Sequence, residues 1–208
     1  ITYGISTSLL CSLAGYLKFG LNGFQAGAAF VIGMLGSLAP DVDHDESIPG
    51  RMFFEIAGIF LPLIFLPYAS LYYKSPIMLE HQIVFITIGY ILVRYLGFYI
   101  FSQFTVHRGI FHSLPAMVIF GEIVFLSFSH VPVNERAIIS LVAMAGYLTH
   151  LLADEFYSVD WAGNSLKNSF GTAVDLGHIS QTSTWVAYII LGGFGWLIFK
   201  QVEHLFPV

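Results

Sequence analysis

The chain has 208 residues, of which 56% are hydrophobic and 10% charged, with a mean hydropathy of +0.76. A soluble domain carries about 25% charged residues, so this composition excludes an ordinary water-soluble fold. The net charge of −5 and the lack of any basic run exclude a nucleic-acid-binding surface.

Seven apolar segments follow one another, at roughly 2–19, 24–39, 52–73, 81–103, 113–130, 137–154 and 184–200. A membrane span needs about 20 residues at 1.5 Å rise each. Segments three, four and five meet that length. The first two are shorter and rich in small residues, among them Gly27, Gly33, Gly36 and Ser37. Small residues let helices approach closely in lipid, which predicts a tightly packed pair at the bundle centre; a re-entrant pair is the alternative. The fold class expected is all-α: a polytopic membrane bundle of about seven helices, five to seven of them spanning. It forms one domain over 1–208, with a polar loop at 157–183. Cys11 stands alone in an apolar stretch and reads as a packing residue.

The connections carry the chemistry. Pro40-Asp41-Val42-Asp43-His44 follows segment two, with Pro40 ending or kinking its helix. Thr105 to Ser113, which includes His107, Arg108, Gly109 and His112, joins segments four and five. His150 and Asp154 close segment six at i, i+4 spacing, on one helix face. If each segment crosses once, the ends of segments two, four and six emerge on the same side. Three clusters of metal-competent residues then converge: Asp41, Asp43 and His44; His107 and His112; His150 and Asp154.

Each cluster alone has a plainer reading, as a solvated loop, a helix cap or a hydrogen-bonded packing histidine. Their coincidence on one face favours a metal site, because ionisable groups at membrane helix ends are costly. Carboxylate and imidazole without thiolate suit Zn²⁺, with Mn²⁺ or Fe²⁺ as alternatives, better than Ca²⁺. These side chains outnumber the ligands of one tetrahedral zinc, so two or more ions are expected, as in phosphoester hydrolysis.

The segments Leu38 to His44, His107 to Ser113 and Gly146 to Asp154 resemble the YdjM-like family of inner-membrane-associated metal-dependent hydrolases. The resemblance covers Ile1 to about Thr172. The family is in turn similar to zinc-dependent phospholipase C and related single-strand nucleases. The resemblance implies Asp41, Asp43, His44, His107, His112, His150 and Asp154 as ligands and Arg108 as the phosphate or oxyanion partner. It also implies a further His four residues before Gly4, upstream of Ile1. The location implied is the bacterial inner membrane.

Three further features stand out. Arg94 and Glu122 interrupt segments four and five at similar depth, about 15 Å from the site face at helical rise, and are expected to pair. Glu55 either orients a ligating His or pairs with Arg51. Lys167, within Lys167 to Thr172, offers a cation for phosphate contact, against the plainer reading of a solvated loop.

The leading functional expectation is a hydrolase acting on an amphiphilic phosphoester whose tail stays in membrane lipid, with Arg108 and Lys167 as catalytic cations. A metal transporter and a scaffold with a structural metal are the alternatives. Neither the substrate nor the oligomeric state is legible in the sequence. Away from the motifs, Lys18, Lys74, Arg136 and Lys200 map to the face opposite the site, against Arg51, Arg108 and Lys167 on the site face. Four against three, or four against one if Arg108 and Lys167 serve the site, favours a periplasmic site.

Overall fold

The computed structural model describes residues 2–43, 48–73, 77–100, 111–160, 165–166 and 182–203. Its helices are α1 (Thr2–Lys18), α2 (Gly23–Leu38) with a 3-10 turn Ala39–Asp43, α3 (Ile48–Tyr73) and α4 (Leu79–Ile91). A π-helical stretch, Leu92–Gly97, continues α4. Then come α5 (Leu114–Ser127), α6 (Val133–Ser158) and α7 (Thr182–Val202). The expected all-α class holds. The one strand pairing described is a two-residue antiparallel ladder, Val159↔Leu166 and Asp160↔Ser165, directly after α6. Among the described residues, five stretches are long and apolar enough to cross a membrane: Gly23–Val42, Ile48–Ala69, Leu79–Ile100, Val133–Tyr157 and Thr184–Val202.

The helices sort into two compact units, residues 1–40 with 109–208, and residues 41–108. In the first unit, α1 turns large apolar side chains outward, including Leu9, Leu10, Leu13 and Leu17. It buries Gly4, Ser8, Ser12 and Gly15 instead. That is the arrangement lipid favours, since apolar tails solvate the large residues and small ones allow close helix contact. The α1 helix ends where Gly20 adopts φ 81°, a left-handed conformation that suits glycine. The Leu21 N–H then donates back to the Gly15 carbonyl at 3.1 Å.

The next helix starts at a capping box in which Asn22 and Gln25 exchange side-chain and backbone hydrogen bonds at 2.8 and 2.9 Å. Gln25 also donates to Glu135 at the start of α6. From there α2 and α6 run side by side in the same direction at backbone contact. A Cβ on Gly36 would stand 2.3 Å from the Ala143 carbonyl oxygen, and one on Gly146 only 2.0 Å from the Gly33 oxygen. The expected tight packing of the small-residue segments is therefore real, with α6 as third partner.

Neighbouring helices run antiparallel to this pair. The α1 contacts pair Gly4 with Ser37 and Ser8 with Gly33. The Ser140 hydroxyl of α6 donates to the Gly121 carbonyl of α5 at 2.6 Å. Tyr147, farther along α6, reaches Phe111 ahead of α5. The starts of α1 and α5 thus meet the ends of α2 and α6 at one end of this unit. At the other end Arg136 is buried, donates to Gln201 of α7 at 2.7 Å and lies 4.3 Å over the Phe125 ring.

In the second unit, α3 packs on α4 and its π-helical continuation, with Gly89 against Pro62 and Gly58 against Tyr90 and Arg94. Here the structure corrects the expected Arg94–Glu122 pair. Arg94 Nε lies 2.5 Å from Glu55 Oε2, and the Tyr90 hydroxyl donates to Glu55 Oε1 at 3.0 Å. Among the described residues Glu55 therefore pairs with Arg94 and Tyr90 in place of Arg51, while His44 and His107 lie outside them. Equal depth identifies residues that could meet, but the α3–α4 contact decides which do. Glu122 belongs to the first unit, where Oε2 is buried without a hydrogen-bond partner and Oε1 lies beside Gly195 of α7.

Candidate metal centre

The site is built at the end of the first unit where α2 and α6 arrive together. His150 is on α6 beside a buried face made by Ile139, Ala143, Tyr147 and Leu151. Its Nδ1 lies 2.8 Å from the Ser37 carbonyl oxygen. A carbonyl can only accept, so Nδ1 carries the proton and Nε2 presents its lone pair. That is the orientation found in ligating histidines, whose second nitrogen donates to a carbonyl or carboxylate. The Ser37 carbonyl reaches this position because Gly33, Gly36 and Gly146 let the two helices touch.

Asp154 sits one turn beyond His150. Its Oδ2 is 3.2 Å from His150 Nε2 and 3.3 Å from His112 Nε2. His112 comes from the segment leading into α5, where Ser113 is the N-cap and Pro115 fills the first turn. The Tyr147 hydroxyl donates to the carbonyl of Phe111, the residue before His112. Tyr147 is 1% exposed, so α6 holds the backbone beside one ligand with a buried side chain one turn below another.

Asp41 stands on the 3-10 turn that prolongs α2. Within the first unit, ligand atoms of His112, His150 and Asp154 lie within 4.8 Å of one another. The separations identify what this group can do. A charge-assisted N–H···O bond closes to about 2.7–2.9 Å. Nitrogen and oxygen ligands at about 2.0–2.1 Å from a tetrahedral ion stand about 3.3 Å apart. The two His–Asp distances match the second value, so the residues fit a divalent ion held between them. Two imidazoles and a carboxylate without thiolate suit zinc, and also manganese or iron.

The structure thus brings together three of the predicted ligands, His112, His150 and Asp154, from two of the sequence clusters, while Asp41 opens the second unit. Asp43 lies on the same 3-10 turn, its side chain outside the described set. His44, His107, Arg108 and Lys167 also lie outside the described residues. Sequence reasoning missed two contributors, the Ser37 carbonyl and Tyr147. A backbone acceptor leaves no residue signature. Tyr147 did offer a signal, because a buried phenol in a span needs a hydrogen-bond partner.

The model of the YdjM inner membrane protein family matches residues 4–166, most of the chain, and the protein belongs to that family. It is accordingly an inner-membrane protein. Comparison with curated proteins and with solved structures returned no match.

Proposed function

We propose that the protein is a membrane-embedded, metal-dependent hydrolase of phosphoesters carried by a lipid or lipid-linked substrate. The observation that carries this reading is the position of Asp154 between two histidine Nε2 atoms at ligand-to-ligand spacing, at the end of the Val133–Tyr157 span. A bound divalent ion supplies Lewis acidity and lowers the pKa of a water to about 7, giving a nucleophile at neutral pH.

The chain's own residues supply the rest. The Ser37 carbonyl orients the His150 imidazole, and Tyr147 anchors the main chain next to His112. Asp154 balances part of the charge of the ion. Arg108 and Lys167 are the cations proposed to neutralise charge developing on the phosphoryl oxygens. A site at the end of spanning helices suits a substrate whose tail stays in hydrocarbon. The surplus of sequence-predicted ligands supports more than one ion.

A metal transporter needs ligands near the middle of its spans. This cluster sits where the helices end, which weighs against transport. A closed structural site would need no neighbouring cation, and Arg108 is four residues from His112. The test is phosphate release from a long-chain phosphatidic acid by purified protein, with metal content measured alongside. Zinc-, manganese- or iron-dependent release that disappears in His150→Ala is the expected result. Full metal occupancy without release from any phosphoester would leave the scaffold reading instead.

A further inference from the structure

A groove of about 360 Å3 opens beside the metal cluster, within the first unit. Tyr3 and Thr7 of α1 form one wall; Thr149, Leu152, Ala153, Phe156 and Tyr157 of α6 form the other. Small-molecule sites have volumes of about 300–1,000 Å3, so the groove can take a substantial group. Its lining is mostly carbon. The Thr149 hydroxyl is turned back to the Ala145 carbonyl at 2.7 Å, which leaves its methyl to face outward. Large apolar side chains here are also well exposed, Phe156 at 63% and Leu152 at 42%.

We infer that this groove holds a hydrocarbon chain of the same lipid whose phosphoester lies at the metal cluster. The inference rests on the hydrolase reading above and names where the substrate tail goes. Every α6 residue of the groove falls within the apolar stretch Val133–Tyr157, at the end that carries the metal cluster. The groove shares its α6 wall with the metal site. Thr149 precedes His150 and Ala153 precedes Asp154, each pair about 1.5 Å apart along the axis and about a quarter-turn round it. On α1, Gly4 lies between the groove residues Tyr3 and Thr7 and abuts Ser37, whose carbonyl orients His150. A chain seated here is held one residue's width from the ligands. The anionic head of the same molecule then lies at the cluster, and an amphiphile satisfies both surfaces at once.

The probe is phosphatidic acid carrying a diazirine midway along one chain, in nanodiscs with the full-length, metal-loaded protein. After irradiation, label is expected on residues 3–7 and 149–157, several-fold above the lipid-facing surfaces around Ile83 and Ile189. Ala153→Trp fills the groove and removes that enrichment. In the same variant the ratio of kcat/KM for long-chain over short-chain phosphatidic acid falls about tenfold, the scale on which apolar pockets discriminate chain length. Leu152→Trp is the second variant, and metal content reports that the cluster stays assembled in each. Label spread evenly over all lipid-facing helices, or an unchanged chain-length ratio in an assembled variant, overturns the proposal. If wild-type protein hydrolyses no phosphoester, the hydrolase reading fails on its own, and the labelling pattern still decides whether lipid occupies the groove.

Discussion

The imidazole of His150 is oriented by the main chain of Ser37, its Nδ1 2.8 Å from that carbonyl oxygen. The bond spans two helices whose closest points are glycines, so ligand geometry depends on how nearly the helices touch. Gly146→Ala would place a Cβ 2.0 Å from the Gly33 oxygen, and a backbone atom cannot step aside cheaply. The expected cost is about 1–3 kcal/mol of stability from overpacking. Loss of the Ser37 bond should also lower metal affinity about 10-fold or more. Gly27→Ala is the control, because nothing lies within 4 Å of a Cβ there, and it should be neutral. Thermal unfolding in detergent and zinc titration of both variants check the pair of expectations.

Tyr147 fixes the other histidine at one remove, through the Phe111 carbonyl. Tyr147→Phe keeps the buried ring and deletes only the hydroxyl. Metal affinity is expected to fall about 10- to 100-fold, the usual effect of losing a group that supports a ligand. Stability of the metal-free protein should drop only by about 1 kcal/mol, the worth of an ordinary hydrogen bond. A purely structural Tyr147 would show the stability loss with unchanged affinity, so calorimetric zinc titration separates the two.

Asp154 has the largest expected effect, since its Oδ2 faces both imidazoles. Asp154→Asn keeps the shape and removes the charge, and should abolish stoichiometric metal binding. A ligand that binds only the folded state adds about 2.7 kcal/mol when present at 100 times its Kd. Zinc should therefore raise the Tm of the wild-type protein by several degrees, and chelator should reverse the rise. The Asn variant should show neither. Equal zinc stabilisation of the two proteins would remove Asp154 from the ligand set.

Much of this was legible in the sequence because a membrane imposes few choices. Hydropathy located the seven helices of the described residues, since a segment must be long and apolar to cross. Counting crossings then placed His112, His150 and Asp154 together, and the structure does the same. What counting could not supply was lateral neighbourhood. Depth alone paired Arg94 with Glu122, whereas Arg94 meets Glu55 across the α3–α4 contact. The π-helical turn at Leu92–Gly97, which contains Arg94, adds a change of register that no hydropathy pattern reveals. Ser37 acts through its backbone, so its residue type says nothing of the role.

Glu55 and Arg94 form an ion pair within spanning stretches, with Tyr90 completing the carboxylate. Glu55→Gln leaves a lone guanidinium in the span, which costs about 3 kcal/mol on insertion scales. Arg94→Met leaves a lone carboxylate with a comparable penalty. The double variant Glu55→Gln/Arg94→Met should recover most of the stability, because the pair itself contributes little beyond cancelling two desolvation costs. Additive losses in the double variant, measured by thermal unfolding in detergent, would show that each residue has a separate partner.

The metal site is expected to face the periplasm. In the first unit Lys18 closes α1, Arg136 opens α6 and Lys200 lies in the last turn of α7, all at the end opposite the cluster. On the sequence count Lys74 joins them on that side, and Arg51 stands against them once Arg108 and Lys167 are given to the substrate. Orientation follows Lys and Arg near the membrane ends, which favour the cytoplasm, while acidic residues contribute little. The asymmetry therefore puts the opposite end inside. Ser165, paired with Asp160 just beyond α6, reports on the site end. Ser165→Cys in a background with Cys11 replaced should react with a membrane-impermeant thiol reagent in intact cells. A cysteine replacing Lys18 should react only after lysis. The reverse pattern would put the metal centre in the cytoplasm and require its substrate on the inner leaflet.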